Sequence, residues 1–542
     1  MSNEGIWPGS AGDPWRQDPV PEGRGTSWGS ISGSREQAER SAAAARAVAA
    51  RPKVPAGPRW LPVAAALAGL VGAVAVPGAP PGLGVVVTTV AVSCCLLPLL
   101  LRRGVSGWSL AAGSCALLLA GMSGVLDADW LVAADLMAAF AVGSIVLAGG
   151  ASFRDLARGA ASVVLASPMV SAHLSQPAAA RIRARKVGRW GATARAIALS
   201  LLLVAVFGAL FSSAAAALGR LLGHLVPSLS LDLLPVRIAF FALVVGLVGA
   251  GALVAGRIAP VGLSRGLHDL ADLLLAPFDP ELAPARPSRL EWLLPLAVLD
   301  VLFGAFVAVQ FAVFFGGNHH LAVTPGLTAA EYARTGFFQL LAVCILTLGV
   351  VAAAIRWVDR AERTRLRSTL GPLVVLTAIV LLSAAQRLAN YEEAFGYTRL
   401  RLVVAASMAV IAAVLALLLI AGALWRARWL PRGVLAAGVF ALLALNLINA
   451  DGFIARRNID RAGAAGSVDT AYLSGLSADA VPALLRLPEP ARSCVLIALR
   501  ARLDRADEGG WRGANFARAR ARALIAATTI VVCPNPVVSS RE

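Results

Sequence analysis

Charge and reactive side chains are scarce in this chain. Only 15% of its 542 residues are charged, and it holds five histidines, six cysteines and four tyrosines. Lysine is nearly missing: Lys53 and Lys186 stand against an otherwise all-arginine set of cations. No Gly-x-x-x-x-Gly-Lys loop, no His-Glu-x-x-His helix and no Cys-x-x-Cys pair occurs. The strongest local signatures of nucleotide, zinc-hydrolase and redox chemistry are therefore absent. Serines in the apolar stretches have no histidine or lysine at helical spacing to activate them. His319 and His320 are adjacent, but two neighbours hold a metal only with carboxylates brought from elsewhere. No metal site and no cofactor is expected.

What the chain has is apolar surface. A hydrophobic fraction of 58% lies outside the range of water-soluble globular domains. Separate runs of about 20 apolar residues are each long enough to cross a hydrocarbon core of about 30 Å. They lack the period-two alternation of barrel strands, so the expected fold is an all-α polytopic transmembrane bundle. About eleven spans are predicted, at 60–78, 82–101, 105–126, 130–150, 196–217, 237–256, 291–316, 336–355, 371–388, 402–424 and 433–450. Residues 1–59 read as a basic cytoplasmic tail without packed structure, and 451–542 as a small helical domain. The moderately apolar segment Gly159 to His173 is short, contains Pro168 and is flanked by arginines, which favours a surface or re-entrant helix over a span.

The net charge of +18 suggests nucleic acid until its placement is considered. The cations lie between the spans, where anionic lipid explains them, and no nucleic-acid partner is expected. With the N-terminus inside, the inner segments carry about 30 Lys and Arg and the short outer loops about six, as the positive-inside rule requires. Eleven spans then put the C-terminal domain outside a bacterial plasma membrane. Its two cysteines, Cys494 and Cys533, read either as a disulfide of an oxidising compartment or as two unrelated thiols.

Bare charge near hydrocarbon is expensive and marks residues worth following. Three groups fall at the predicted outer ends of the later spans. They are Glu331 and Arg334; Arg387, Glu392, Arg399 and Arg401; and Asp451, Arg456 and Arg457. Gathered on one face, they read either as an arginine-rich site for an anionic lipid or envelope precursor, or as an ion-pair network that locks helix ends and docks the C-terminal domain. Within the spans, Asp135, Asp300 and Gln310 are candidates for an ion or proton path.

Four ordered motifs also carry a family likeness. These are Phe314-Phe315-Gly316-Gly317, Ala330-Glu331-Tyr332-Ala333-Arg334-Thr335-Gly336-Phe337-Phe338-Gln339-Leu340, Phe395-Gly396-Tyr397-Thr398-Arg399-Leu400-Arg401 and Asn449-Ala450-Asp451-Gly452-Phe453-Ile454-Ala455-Arg456-Arg457-Asn458. Over roughly residues 190–530 the chain resembles the bacterial membrane proteins grouped as domain of unknown function 4173, related to the 4153 group. The likeness implies a topology and no activity. Ala215 stands where the resemblance implies an aspartate. The expected role is structural or sensing, within the bacterial envelope. A transporter or flippase of an anionic compound, and a membrane enzyme on lipid-linked substrates using Glu331 or Glu392 as a base, are the alternatives.

Overall fold

A computed structural model describes residues 57–174, 233–256, 288–315 and 329–533, apart from 151, 172, 359, 425, 466–467, 508–509 and 532. Among the described residues all regular structure is helical. The helices are α1 (Leu61–Ala75), α2 (Leu83–Arg103), α3 (Gly107–Gly121), α4 (Asp129–Ala148), α5 (Phe153–Ala166), α6 (Leu234–Ala255), α7 (Arg289–Phe315) and α8 (Ala329–Trp357). They continue as α9 (Arg363–Phe395), α10 (Arg399–Leu424), α11 (Leu430–Leu447), α12 (Ala450–Ala465), α13 (Thr470–Ser474), α14 (Val481–Leu484), α15 (Ala491–Asp507) and α16 (Phe516–Ala526).

Nine of the described helices are long and apolar enough to span a membrane: α2, α3 with its 3-10 extension to Gly124, α4, and α6 to α11. The chain is a polytopic helical membrane protein. Helix α1 is apolar but shorter, at 15 residues. The span expected at 196–217 lies outside the described residues, as do Ala215, His319, His320 and nearly all of the expected N-terminal tail.

Packing divides the bundle into neighbourhoods. Helix α6 lies along α1, and the approach depends on glycine: a Cβ on Gly72 would sit 2.7 Å from Val244 Cγ2. Small residues of this kind let helices come close in lipid, where dispersion and not water drives association. Helix α4 packs on α3 and α5, whereas α7, α8 and α9 form a second group with a core around Leu373, Cys344 and Ala384 that α10 shares through Met408, Ile411 and Leu415. Helices α10 and α11 carry the chain back, and α11 closes on α4.

The two ends of the bundle are distinct. At one end Arg103 donates to the Ala148 carbonyl at 2.8 Å, Arg432 reaches Gly150 O at 3.4 Å, and Arg289 pairs with Glu362 at 2.6 Å. At the other end lie the turns between α1 and α2, α3 and α4, α9 and α10, and α11 and α12. All four meet the helices that follow Asp451. Leu83 N–H donates to Ala514 O at 2.9 Å and Ala517 N–H donates to Val125 O at 3.0 Å, so backbone itself joins the C-terminal helices to the turns 390 or more residues earlier. Helix α5, which covers much of the Gly159 to His173 segment, begins with a Ser152/Asp155 capping box and packs its buried Val163 and Ala166 at the first end.

The helices after Asp451 share a core with the span ends: Leu473, Leu476, Leu484, Val495, Leu496 and Leu499 pack with Leu131, Leu402 and Leu445. The sequence suggests one capped helix from Tyr472 to Leu487. The structure has α13 and α14 instead, separated by Gly475–Ser477 and a 3-10 turn at Ala478–Ala480. The break has a physical cause. Ser477 N–H is drawn out of helical bonding to donate to Asp451 Oδ2 at 2.8 Å, and Pro482 suits only the opening of the next helix.

Candidate functional site

The polar residues at the C-terminal-domain end form a lattice whose centre is Asp451, fully buried in the second position of α12. Arg399, at the start of α10, grips it with two parallel bonds, Nε to Oδ1 at 3.0 Å and Nη2 to Oδ2 at 2.5 Å. Trp130 Nε1–H of α4 donates to Oδ1 at 3.1 Å, and Ser477 N–H completes the set. Burial pushes this carboxyl up, but the Arg399 guanidinium and the two neutral donors outweigh it and hold Asp451 below the usual carboxylate range. Four sequence-distant elements therefore meet on one anion. Arg399 N–H also donates to Tyr472 Oη at 2.9 Å, and burial raises that phenol.

A second anion, Asp127, lies in the turn between α3 and α4. Ala478 N–H donates to its Oδ2 at 3.0 Å, and its own N–H donates to Asp479 Oδ2 at 2.7 Å. Arg518 of α16, buried to 3% exposure, pairs with Asp127 and donates to Pro81 O at 2.7 Å and Gly513 O at 2.6 Å. Asn515, the N-cap of α16, donates to Ser123 O and Leu126 O at 2.9 and 2.7 Å. Asp479 is the costly member. Burial pushes it up to about 6, with Asp127 and Asp451 adding repulsion that hydrogen bonds from Asp127 N–H and the Ser477 hydroxyl only partly offset.

Several further arginines cap helix ends or lie over aromatic rings. Arg401 donates to Phe395 O at 3.1 Å and to Gly396 O, and lies 4.3 Å from the Tyr391 ring centroid. Arg456 reaches Ile448 O at 3.2 Å, and Arg457 lies over the Phe453 ring. Arg461, which the sequence does not single out, reaches Ala394 O at 3.2 Å. These carbonyls end α9 and α11, where four acceptors per helix lack an intrahelical donor and the dipole favours a cation. Gly396, at φ +80°, turns the chain here, and a Cβ on it would lie 2.5 Å from Asn458 Oδ1. That close approach allows Asn458 to bond both backbone groups of Tyr397, at 2.7 and 2.8 Å.

Of the nine residues expected to gather, Arg399 and Asp451 bind each other, and Arg401, Arg456 and Arg457 stand on the same two helices, α10 and α12. Glu392 is buried within electrostatic reach of Arg401, and its Oε1 has no hydrogen-bond partner. Arg387 lies about one and a half turns before Glu392 on α9, half-buried. Glu331 and Arg334 open α8, but their side chains fall outside the described residues, as does that of Gln310 in α7. Asp300 sits at the middle of α7 with a buried, unpartnered Oδ1, and Asp135 is fully buried in α4. Cys494 and Cys533 are joined by a disulfide, Cα to Cα 5.1 Å.

Sequence reading missed Asp127, Trp130, Tyr472, Ser477, Asp479, Asn515 and Arg518. Asp127 registers only as a turn residue, and no local signal pairs it with Arg518 across 391 positions.

Neither the curated proteins nor the solved structures include a match to this chain. One family does match, described as Domain of unknown function (DUF4153), over residues 113–487. The match spans well over half of the chain, from α3 to the end of the first C-terminal helices, and takes in Asp127, Arg399, Asp451 and Asp479. It falls on the 4153 group, and not on the related 4173 group that the motifs suggest. Together with the helical bundle, it identifies the chain as a member of the DUF4153 family of membrane proteins.

Proposed function

We propose that the lattice is a latch, and that the protein is a structural or sensing element of a bacterial plasma membrane whose C-terminal helices form a cap on the outer ends of the spans. The observation carrying this reading is the saturation of Asp451, which receives four hydrogen bonds from α4, α10 and the turn after α13. An anion site for a substrate would present cations with free donors. Here Arg399 spends Nε and Nη2, and Arg518 Nη1 and Nη2, on carboxylates and carbonyls of the protein itself, and Arg401, Arg456 and Arg461 spend at least one donor each on helix ends. Buried ion pairs add little net stability over apolar packing, but they specify one geometry and punish the loss of either partner.

The Cys494–Cys533 disulfide supports an outer location, because such bonds persist in oxidising compartments. So does the positive-inside rule, which is met when the bundle end bearing Arg103, Arg289 and Arg432 faces the cytoplasm. Anionic lipid is the partner that those basic inner turns fit best.

The test compares wild type with Arg399→Ala in cells lacking the native gene. Latching requires that thermal stability of the purified variant and the envelope phenotype fall together. Normal expression and unchanged stability with a lost phenotype would overturn the structural reading and favour a ligand site at Arg399.

A further inference from the structure

Asp135 and Asn446 form a pair outside the latch, between α4 and α11. Asp135 lies about 9 Å along α4 from its first residue, at 1.5 Å rise per residue. Asp135 is 0% and Asn446 6% exposed. Asn446 Nδ2 donates to Asp135 Oδ1 at 2.9 Å and to the Leu442 carbonyl at 2.8 Å. Both amide hydrogens are thus spent, and the orientation of the amide is fixed by them. What remains is one oxygen on each side chain, Asp135 Oδ2 and Asn446 Oδ1. Both are buried and neither has a donor.

Two buried acceptors without donors, one on each member of a hydrogen-bonded pair in a low-dielectric interior, are an unfavourable arrangement. One proton resolves it. From this geometry we infer that Asp135 is a proton-binding site within the membrane domain: a neutral carboxylic acid whose Oδ2–H donates to Asn446 Oδ1. The pair becomes a reciprocal acid–amide ring with two hydrogen bonds. A metal cation fits less well, because sodium, magnesium or calcium needs about six oxygens and these two residues bring two.

Among the described residues, the helices packed on the pair place no counter-charge beside it. Helix α3, packed on α4, has no charged residue and only the Cys115 thiol as a titratable group, and α11 has only Arg432, at its far end. Helix α6 has Arg237 near its start, and α5 has Arg154, Asp155 and Arg158 at the opposite end of the bundle. On α4 itself the next acid is Asp129, six residues nearer the latch, and Asp451 follows α11. Loss of the proton would place an unpaired charge between α4 and α11. The same two elements lead into the latch, through Trp130 on one side and Asn449 and Asp451 on the other. Asn449, at φ +54°, turns the chain between α11 and α12 and donates to Asp479 O at 3.0 Å.

The inference does not depend on the latch and is tested apart from it. Full-length protein in liposomes near neutral pH is examined by infrared difference spectroscopy. Wild type should show a protonated-carboxyl C=O band, sensitive to hydrogen–deuterium exchange, that Asp135→Asn lacks. Asn446→Ser should shift the band by removing its acceptor, which keeps the test available if the first variant does not fold. Replacing sodium with potassium or choline should leave the band unchanged. No band lost in Asp135→Asn and none shifted in Asn446→Ser would overturn the proposal. A band that appears only when sodium is removed would also overturn it, in favour of a cation site.

Discussion

Arg399 and Asp451 are joined by two parallel hydrogen bonds, 3.0 and 2.5 Å, across 52 positions of sequence and between the start of one span and the exit of another. Only a planar guanidinium makes this fork. Arg399→Lys should therefore fail to restore what Arg399→Ala loses. Loss of the partner leaves Asp451 buried with two neutral donors, at a cost of about 3 kcal/mol or more. Thermal unfolding in detergent, comparing both variants, checks this. A lysine variant as stable as wild type would show that charge alone is enough.

Asp479 predicts a pH dependence. Its folded value of about 6 lies above its ordinary value of 3.8, so its stabilising contribution is fully present below about 4 and is lost as pH rises through about 6. Asp451 is held below the ordinary value, so its contribution is present above about 4 and is lost on further acidification. Stability should therefore peak near about pH 4 and fall between about pH 4 and 6. Asp479→Asn should flatten the limb above the peak, removing about 2 to 3 kcal/mol of pH dependence. Melting temperatures at stepped pH provide the measurement.

The disulfide closes a loop of 39 positions. In the chain-entropy account a loop of that size is worth about 4 kcal/mol, an upper value for a site that frays when cut. Cys494→Ser should release the segment around Val531, whose N–H bonds Ser493 Oγ at 3.0 Å. Hydrogen exchange should rise there and at the start of α15, and remain low in α4. Exchange rising equally throughout would mean that the cap unfolds as one unit.

Sidedness is checked by placing a thiol on the exposed Ala501 of α15. An impermeant maleimide applied to intact cells should label Ala501→Cys and leave the parent protein, with its disulfide, much less labelled. Protection until the cells are opened would put the cap in the cytoplasm and invert the whole arrangement.

Tight helix contact gives a simpler expectation. Gly72→Leu would drive a side chain into Val244 from 2.7 Å, and overpacking of that kind costs about 1–3 kcal/mol. Gly246→Leu, on the same α6 but with open space beyond it, should cost much less. The two melting temperatures together separate contact from helix propensity.

Span existence was readable from the chain because hydrophobic length is a local property: about 20 apolar residues cross a bilayer whatever they pack against. The helix class followed for the same reason, and the arginines at Arg399, Arg401 and Arg456 stood out because charge beside hydrocarbon is rare. Their partners did not stand out. Asp127, Asp479 and Arg518 are ordinary loop and surface residues until the turns between α1 and α2, α3 and α4, and α9 and α10 are brought to one end of the bundle. Even the break between α13 and α14 escaped a local reading, since what opens it is the carboxylate of Asp451, 26 residues away. The sequence alone determined that this protein lives in lipid, and where its charge concentrates. Only the tertiary structure decided that Arg399 and Asp451 are spent on each other and that Arg401 and Arg456 are spent on helix ends, because hydrogen bonds act over about 3 Å in space and carry no record of their separation along the chain.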